Sequence, residues 1–169
     1  MKRPGSFFAF AGFAAGTIAV AWFGSRYSPS KGESKFWYKS LRKPAYNPPR
    51  VIFPLIWTVL YTLMAWSGYR VWRHGSSPER SRALTLWAAQ LGTNAAWSKL
   101  FFGERRPDLA LVDADVMRAL IVAYMESAYQ VDRTAAAAFV PCLGWVTFAR
   151  KLNKEILRLN PPERRLLAA

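Results

Sequence analysis

The residues of this chain that are best suited to bind a ligand are aromatic and amide side chains at helical spacing. Such residues recur three or four positions apart in three segments, so each set shares one helix face: Trp57 with Tyr61; Gln90, Asn94 and Trp97; Trp145 with Ala149. Converging faces would form an aromatic cavity with one or two amides, which suits a flat, largely apolar ligand. The alternative is that the rings anchor the chain at a membrane interface and the amides only join neighbouring helices.

Residues for the common catalytic and metal sites are scarce. The chain has one histidine, His74, beside the polar run Gly75-Ser76-Ser77-Pro78, and one cysteine, Cys142. A single cysteine excludes an intrachain disulfide, and the two residues assemble neither a multi-ligand metal site nor a Cys/His pair. We interpret Cys142 as a small apolar residue and His74 as a solvated one, with haem-iron ligation as the alternative for His74. The sequence therefore predicts no catalytic residues, no metal site and no required cofactor.

The candidate faces need helices, and the distribution of charge indicates that these helices cross a membrane. Mean hydropathy is +0.00, but apolar and charged residues are segregated. Residues 51–69 contain no charge over about twenty positions, the length that spans a hydrocarbon core of about 30 Å. Residues 7–23, 83–98 and 134–149 are also uncharged. Four such runs in one small chain favour an integral membrane bundle.

A fifth segment, residues 109–130, is helical in composition but carries charges. Asp115 and Arg118 stand three apart and can partly neutralise each other. With Asp113 and Glu126 they suggest a polar path or gate inside the bundle. We favour the simpler interpretation that the two aspartates lie near a helix start and that Arg118 reaches towards the headgroups.

These runs predict an all-α fold: an integral membrane bundle of five transmembrane helices forming one domain over residues 1–169. The expected helices are 6–24, 50–73, 81–102, 108–130 and 134–158, with a lid loop at 25–49. Asn47-Pro48-Pro49 ends any helix arriving from that loop. Lys2-Arg3 before an apolar run resembles a secretory signal peptide, but a clear cleavage site is missing, so we keep this run as the first helix. Gly12 and Gly16 are expected to pack inside the bundle, with a homodimer contact as the alternative.

The net charge of +14 is distributed unevenly over the two sides of a five-span topology. The side with the amino terminus carries seven basic residues, whereas the side with the lid loop carries sixteen. The excess points the lid side towards the cytosol. Anionic lipid headgroups are the expected partner of this charge. Nucleic acid is not, because most of the aromatic residues that would stack on bases lie in the spans.

Several motifs resemble those of the translocator protein family, also called tryptophan-rich sensory proteins or peripheral benzodiazepine receptors. The chain reads W-Y-x-x-L-x-K-P-x-x-x-P-P from Trp37 and F-P-x-x-W-T-x-L-Y-x-x-M from Phe53. Gly24-Ser25-Arg26-Tyr27, Phe101-Phe102-Gly103 and the segment from Pro141 to Asn153 continue the likeness in family order.

The resemblance implies a five-helix membrane protein, frequently dimeric, that binds porphyrins such as protoporphyrin IX and haem, isoquinoline and benzodiazepine drugs and, in animals, cholesterol. It also implies ligand-binding positions in the lid, its hinge and the walls of a pocket: Trp37, Tyr38, Pro48, Pro49, Phe53, Trp57, Tyr61, Asn94, Trp97, Trp145, Phe148 and Ala149. The animal cholesterol pattern has a tyrosine where this chain has Lys154, which counts against sterol recognition.

The function implied by the resemblance is transport, sequestration or sensing of tetrapyrroles and related hydrophobic ligands. Two alternatives stay open: an enzyme that degrades porphyrin, with Trp57 and Trp145 as redox-active side chains, and a structural membrane protein without a ligand. The expected location is the mitochondrial outer membrane in a eukaryote or the cell envelope in a bacterium.

Overall fold

In the computed structural model, which describes residues 6–28 and 32–161, the chain forms helices and no β-strands. The helices are α1 (Ser6–Arg26), α2 (Gly32–Ser40), α3 (Ile52–Arg73), α4 (Pro78–Ser98), α5 (Pro107–Val131), α6 (Arg133–Ala137) and α7 (Val140–Leu159). A π-helical turn, Lys99–Gly103, continues α4. The basic residues at positions 2, 3, 31, 164 and 165, which entered the charge comparison, lie outside the described residues.

The long helices pack side by side around a shared core. Helix α1 packs against α3 and α4, α4 against α5, and α5 against α7, while α3 also contacts α4 and α6. The buried core in the middle of the bundle includes Met64, Trp87, Ile121, Tyr124 and Phe139. A second buried cluster lies at the end where α3 begins and α7 ends, which we call the lid end because α2 covers it.

The outward surface of the bundle is apolar along several helices. Phe7 and Phe8 are 75% and 76% exposed, and further exposed apolar side chains lie on α1, α3, α5 and α7: Ile18, Leu55, Val59, Val112, Val122 and Val140. Soluble proteins rarely expose so much contiguous apolar surface, whereas lipid covers it readily. In the described residues, α1 and α3 meet the length and composition of a membrane span.

The loop predicted at 25–49 contains a helix that the sequence analysis did not expect. In α2 and the residue that follows it, Trp37, Tyr38 and Leu41 are all buried against the lid end. These positions share a face only in a helix, so burial of the three side chains favours helical geometry here. The next proline after them is Pro44, which lies beyond the end of α2 and does not interrupt it.

The helix predicted at 134–158 is divided into α6 and α7. Pro141 has no N–H with which to bond the carbonyl four residues earlier, and the helix breaks into a turn before it. Phe139 in that turn is buried against Tyr124, with 4.3 Å between ring centroids. The proline therefore sets the break, and the tyrosine provides the surface against which the break packs.

Close helix approach depends on a glycine that the sequence analysis did not single out. A Cβ on Gly68 would lie 2.8 Å from both Phe13 and Trp87, so only glycine fits between these rings. Gly16 also faces Trp87, at 3.6 Å, whereas Gly12 has open space around it. Of the two glycines expected to pack inside the bundle, only Gly16 therefore does so.

Asp113 and Asp115 of α5 lie beyond its first turn, which contains Asp108. Asp115 accepts hydrogen bonds from Arg118, as its spacing indicated, and also from Arg150 of α7. Asp113 is the seventh residue of α5, and within the described residues its Oδ2 is buried without a hydrogen-bond partner. A position near the helix start therefore does not explain either aspartate, because the macrodipole acts mainly within the first turn.

Asp132 fixes the corner between α5 and α6 at the end opposite the lid. Its Oδ1 accepts from the backbone N–H groups of Thr134 and Ala135 at 2.9 and 3.0 Å. Arg70 donates to both carboxylate oxygens at 3.0 and 3.2 Å, and the ring of His74 lies 3.1 Å away. Burial raises the pKa of this carboxyl, but these hydrogen bonds outweigh it and hold the pKa below its ordinary value.

We expect Asp132→Ala to lower the free energy of unfolding by about 1 to 3 kcal/mol, because it removes a helix cap and the partner of Arg70. Asp132→Asn should cost less, since its amide oxygen still caps α6. The wild-type advantage should disappear as the pH falls through the depressed carboxyl pKa. Thermal unfolding in detergent measures both variants. Unchanged stability of Asp132→Asn would exclude a contribution from the ion pair, and equal losses in the two variants would exclude a contribution from the cap.

Candidate functional site

The lid rests on two phenylalanines presented by the π-helical turn. Trp37 and Tyr38 are 5% and 6% exposed. The ring centroid of Trp37 lies 5.7 Å from Phe101, and that of Tyr38 lies 5.5 Å from Phe102, both edge to face. Edge-to-face contacts at this distance add to the stabilisation from burial itself. The lid is therefore closed over the end of the bundle by ring packing.

Polar groups surround Tyr38 at the rim of the lid. Its hydroxyl donates to Oδ1 of Asn47 at 3.4 Å, and Lys43 Nζ lies 4.5 Å from the ring centroid. The guanidinium carbon of Arg50 lies 5.6 Å from the same ring centroid. Burial raises the pKa of the Tyr38 hydroxyl, so the ring stays neutral. The rim thus combines a neutral aromatic ring with two cations.

Below the lid, aromatic rings from α3 and α7 face one another. Phe53 and Trp145 meet edge to face at 5.6 Å, and Trp145 also contacts Phe148 at 5.5 Å. One turn further along α3, Trp57 stacks on Tyr61 at 5.3 Å with an interplanar angle of 30°. These rings line the space between α3 and α7.

One polar link joins α3 to α4 beneath these rings. The hydroxyl of Tyr61 donates to Oδ1 of Asn94 at 2.7 Å, and Asn94 is 4% exposed. Within the described residues, the Nδ2 atom of Asn94 has only the sulfur of Met117 at 3.8 Å. Gln90 donates to the carbonyl of Trp87 in its own helix at 3.1 Å and lies 4.0 Å from the sulfur of Met64 on α3, while its Oε1 is buried with no hydrogen-bond partner in the described part of the chain. Asn94 therefore joins α4 to α3, as the alternative held, and both amides keep unused hydrogen-bonding capacity.

The structure brings most of the sequence-predicted site residues together at the lid end. Trp97 stacks on Phe101 at 4.9 Å and packs against both buried clusters, so it connects the lid with the rest of the bundle. Pro48 is half-buried and Pro49 exposed in the connection between lid and α3. Ala149 is half-buried one turn after Trp145 on α7.

Two groups of residues escaped the sequence analysis of the site. Phe101 and Phe102 were noted only as part of a family motif, although an apolar pair at the end of a span is a signal for packing at that end. Leu152, Ile156 and Asn160 of the α7 end also support the lid. The spacing of 152 and 156 is helical, but nothing in the sequence connects these residues with a loop more than a hundred positions earlier.

Two cavities of about 470 Å³ lie at the opposite end, away from the predicted site. One is lined by Arg70, Arg73, His74 and Asp132. The other lies against α5, α6 and the start of α7 and is mainly apolar, with Tyr129 and Arg133 at its edge. His74 is exposed, as expected, and its ring also lies beside the carboxylate of Asp132.

Comparison with known proteins identifies the family. The model of the TspO/MBR family matches residues 13–159. The chain belongs to the TspO/MBR family. It is 44% identical over 124 residues to the tryptophan-rich sensory protein of Cereibacter sphaeroides, which covers 73% of this chain and 77% of that protein. It is 38% identical over 143 residues to the translocator protein of Bos taurus, covering 83% of each, and 37% identical over 145 residues to the tryptophan-rich protein TspO of Chlorobaculum tepidum, covering 85% and 90%.

The match confirms the resemblance seen in the lid and span motifs and extends over nearly all the helices. The TspO/MBR family consists of membrane proteins, so the exposed apolar surface of the bundle is its lipid-facing surface. Family membership also supports a translocator or sensor role in the membrane.

We expect Trp145→Ala and Asn94→Ala to weaken porphyrin binding more than Trp72→Ala. Trp145 and Asn94 belong to the space beneath the lid, whereas Trp72 stacks on Tyr69 at the other end. Loss of a stacking ring should cost roughly 1 to 3 kcal/mol of binding free energy, by analogy with base stacking. Tryptophan quenching gives the dissociation constants, and similar effects of all three changes would indicate general destabilisation instead.

Proposed function

We propose that the protein binds a tetrapyrrole, such as protoporphyrin IX or haem, beneath the lid and moves, sequesters or senses it. The observation that carries this proposal is the set of aromatic rings from α2, α3, α4 and α7 gathered under a closed lid. Rings that pack on one another with centroids 4.9 to 5.6 Å apart can pack on a flat aromatic ligand instead.

Entry of such a ligand requires the rings to separate. Phe53 and Trp145 belong to different helices, so a small movement of α3 relative to α7 would open a slot between them. Trp57 and Tyr61 would then offer their faces to the ligand, and Asn94 its unused amide hydrogens. Separating these rings leaves no polar group buried without a hydrogen bond, so the free-energy cost of opening the slot is low.

The rim of the lid suits the acidic groups of a porphyrin. Lys43 and Arg50 flank Tyr38, and Lys151 lies 5.4 Å from the ring of Tyr46. A macrocycle inserted between the aromatic rings would leave its carboxylates at this basic rim, where they can pair with ammonium and guanidinium groups. The apolar interior and basic rim together match the two ends of the ligand.

The names of two relatives accord with this role. One is called a translocator protein and the other a tryptophan-rich sensory protein, which describe movement and sensing. We propose related roles for this chain, with the tetrapyrrole as the molecule moved or sensed and a homodimer as the assembly.

We also propose that five spans cross the membrane: α1, α3, α4, α5 and the pair α6–α7. Among the described helices, only α1 and α3 are apolar enough to be recognised individually, because α4, α5 and α7 carry more charged and polar residues. The lid end, which is rich in basic residues, would face the cytosol. The membrane would be the mitochondrial outer membrane in a eukaryote or the cell envelope in a bacterium.

Titration of the purified protein with protoporphyrin IX tests the proposed function. We expect saturable quenching of tryptophan fluorescence with a shift of the porphyrin absorption band. Absence of saturable binding would contradict the proposal and favour a structural membrane protein. Loss of porphyrin absorbance under light and air, at a rate set by the protein, would favour the degrading enzyme instead.

Five spans predict that Ser40 and Ser76 lie on opposite sides of the membrane. Both residues are exposed, and Cys142, which is buried, serves as the unlabelled background in the wild type. Ser40→Cys and Ser76→Cys should react with a membrane-impermeant thiol reagent from opposite sides of sealed, oriented vesicles. Labelling of both from one side would contradict an odd number of spans between residues 40 and 76, and with it the assignment of α3 as a span.

A further inference from the structure

Asn160 makes an unusual set of contacts at the end of α7. It is 5% exposed, and its side-chain amide forms three hydrogen bonds. Oδ1 accepts from the backbone N–H of Arg42 at 2.9 Å, and Nδ2 donates to the carbonyl of the same residue at 2.9 Å. Nδ2 also donates to the carbonyl of Ile156 at 2.8 Å.

The amide of Asn160 therefore pairs with both backbone groups of Arg42, as a neighbouring strand would. This pairing needs one donor and one acceptor held side by side, which a primary amide provides. Because the group is buried, the loss of either bond would leave polar atoms without a partner away from water. The bond to Ile156 fixes the orientation of the amide on α7.

Arg42 belongs to the lid, so its contact with Asn160 connects the lid to the end of α7. Arg42 directly follows Leu41, the last of the three lid side chains buried at the lid end. At the other edge of the lid, Ser34 Oγ donates to the carbonyl of Phe102 at 3.1 Å. One edge is thus held by a single hydroxyl bond and the other by the paired amide of Asn160.

The same helix carries the rings that we assign to the ligand site. Trp145 and Phe148 lie on α7 between its start and Asn160. A displacement of α7 that separates Trp145 from Phe53 would also pull on Arg42 through Asn160. The lid and the space between Phe53 and Trp145 are therefore connected through the side chain of Asn160.

We propose that Asn160 is a latch that holds the lid shut over the aromatic site and so sets how fast a ligand enters and leaves. This inference rests on the proposed function for its ligand and on the contacts with Arg42 for its mechanism. A ligand must displace the lid both when it enters the site and when it leaves. Weakening the latch therefore accelerates association and dissociation together and changes the dissociation constant much less.

The test compares Asn160→Leu with two controls in detergent or nanodiscs. Asn160→Leu keeps a side chain of similar size and removes the donor and the acceptor. Ser34→Ala removes the hydroxyl bond at the other edge of the lid, and Glu155→Gln changes a half-buried residue of α7 whose side chain, within the described residues, bonds Arg158. Hydrogen exchange of the lid backbone and stopped-flow binding of protoporphyrin IX are measured on all four proteins.

We expect Asn160→Leu to raise amide exchange at residues 37–43 and to increase both rate constants about tenfold, as the loss of buried hydrogen bonds implies. Ser34→Ala should have a smaller effect, and Glu155→Gln none. Protected amides in α3, α4 and α5 show that the variant is folded. Loss of protection in α3, α4 and α5 would mean that Asn160 supports the whole bundle. That result would overturn the proposal that it holds only the lid.

The two readouts separate the failure of the latch from that of the proposed function. Unchanged exchange at residues 37–43 in Asn160→Leu overturns the latch, whatever the ligand does. Increased exchange with unchanged rate constants overturns control of ligand passage and indicates entry from the lipid side. If the wild type binds no porphyrin, the proposed function fails, while the exchange measurement still decides whether Asn160 fastens the lid.

Discussion

The structure depends on the lack of any hydrophobic driving force between helices that are surrounded by lipid. Because lipid is as apolar as the side chains it covers, the helices must be held together by close packing and a few internal polar bonds. Gly68 allows such close packing, between Phe13 and Trp87. Tyr61 with Asn94 and Ser67 with Tyr124 provide polar bonds in the interior. Aromatic side chains fill the remaining space between the helices. They are concentrated at the lid end, which makes that end suitable for a flat ligand.

The two ends of the bundle are closed by different kinds of interaction. At the end opposite the lid, charges close the corner: Asp132 caps α6 and binds Arg70. At the lid end, rings and a neutral amide do so, through Trp37, Tyr38 and Asn160. An ion-paired corner is rigid, whereas ring contacts can be exchanged for contacts with another aromatic surface. This contrast supports the lid end as the place where a ligand enters and the opposite end as the fixed frame.

The sequence predicted the elements whose signals are local. Uncharged runs indicated helices, the spacing of Tyr61 and Asn94 placed each on a helix face, and the family motifs identified the lid. Helix α2 was not predicted, because it is favoured by the burial of three side chains and not by a long apolar run that the sequence would reveal. Arg150 and Asn160 escaped because their partners, Asp115 and Arg42, lie on other elements, and only the packing of the chain brings them together.

The most direct test of the central claim is to let bound protoporphyrin IX mark its own surroundings. Illumination of the complex in air lets the bound porphyrin convert dissolved oxygen to singlet oxygen, which oxidises the tryptophans nearest to it. Mass spectrometry of the eight tryptophans shows which react first. The site beneath the lid predicts early oxidation of Trp57, Trp97 and Trp145, with Trp22 and Trp72 reacting late. Early oxidation of Trp22 or Trp72, with the three site tryptophans unmodified, would contradict the account and place the ligand on the outer surface or at the opposite end.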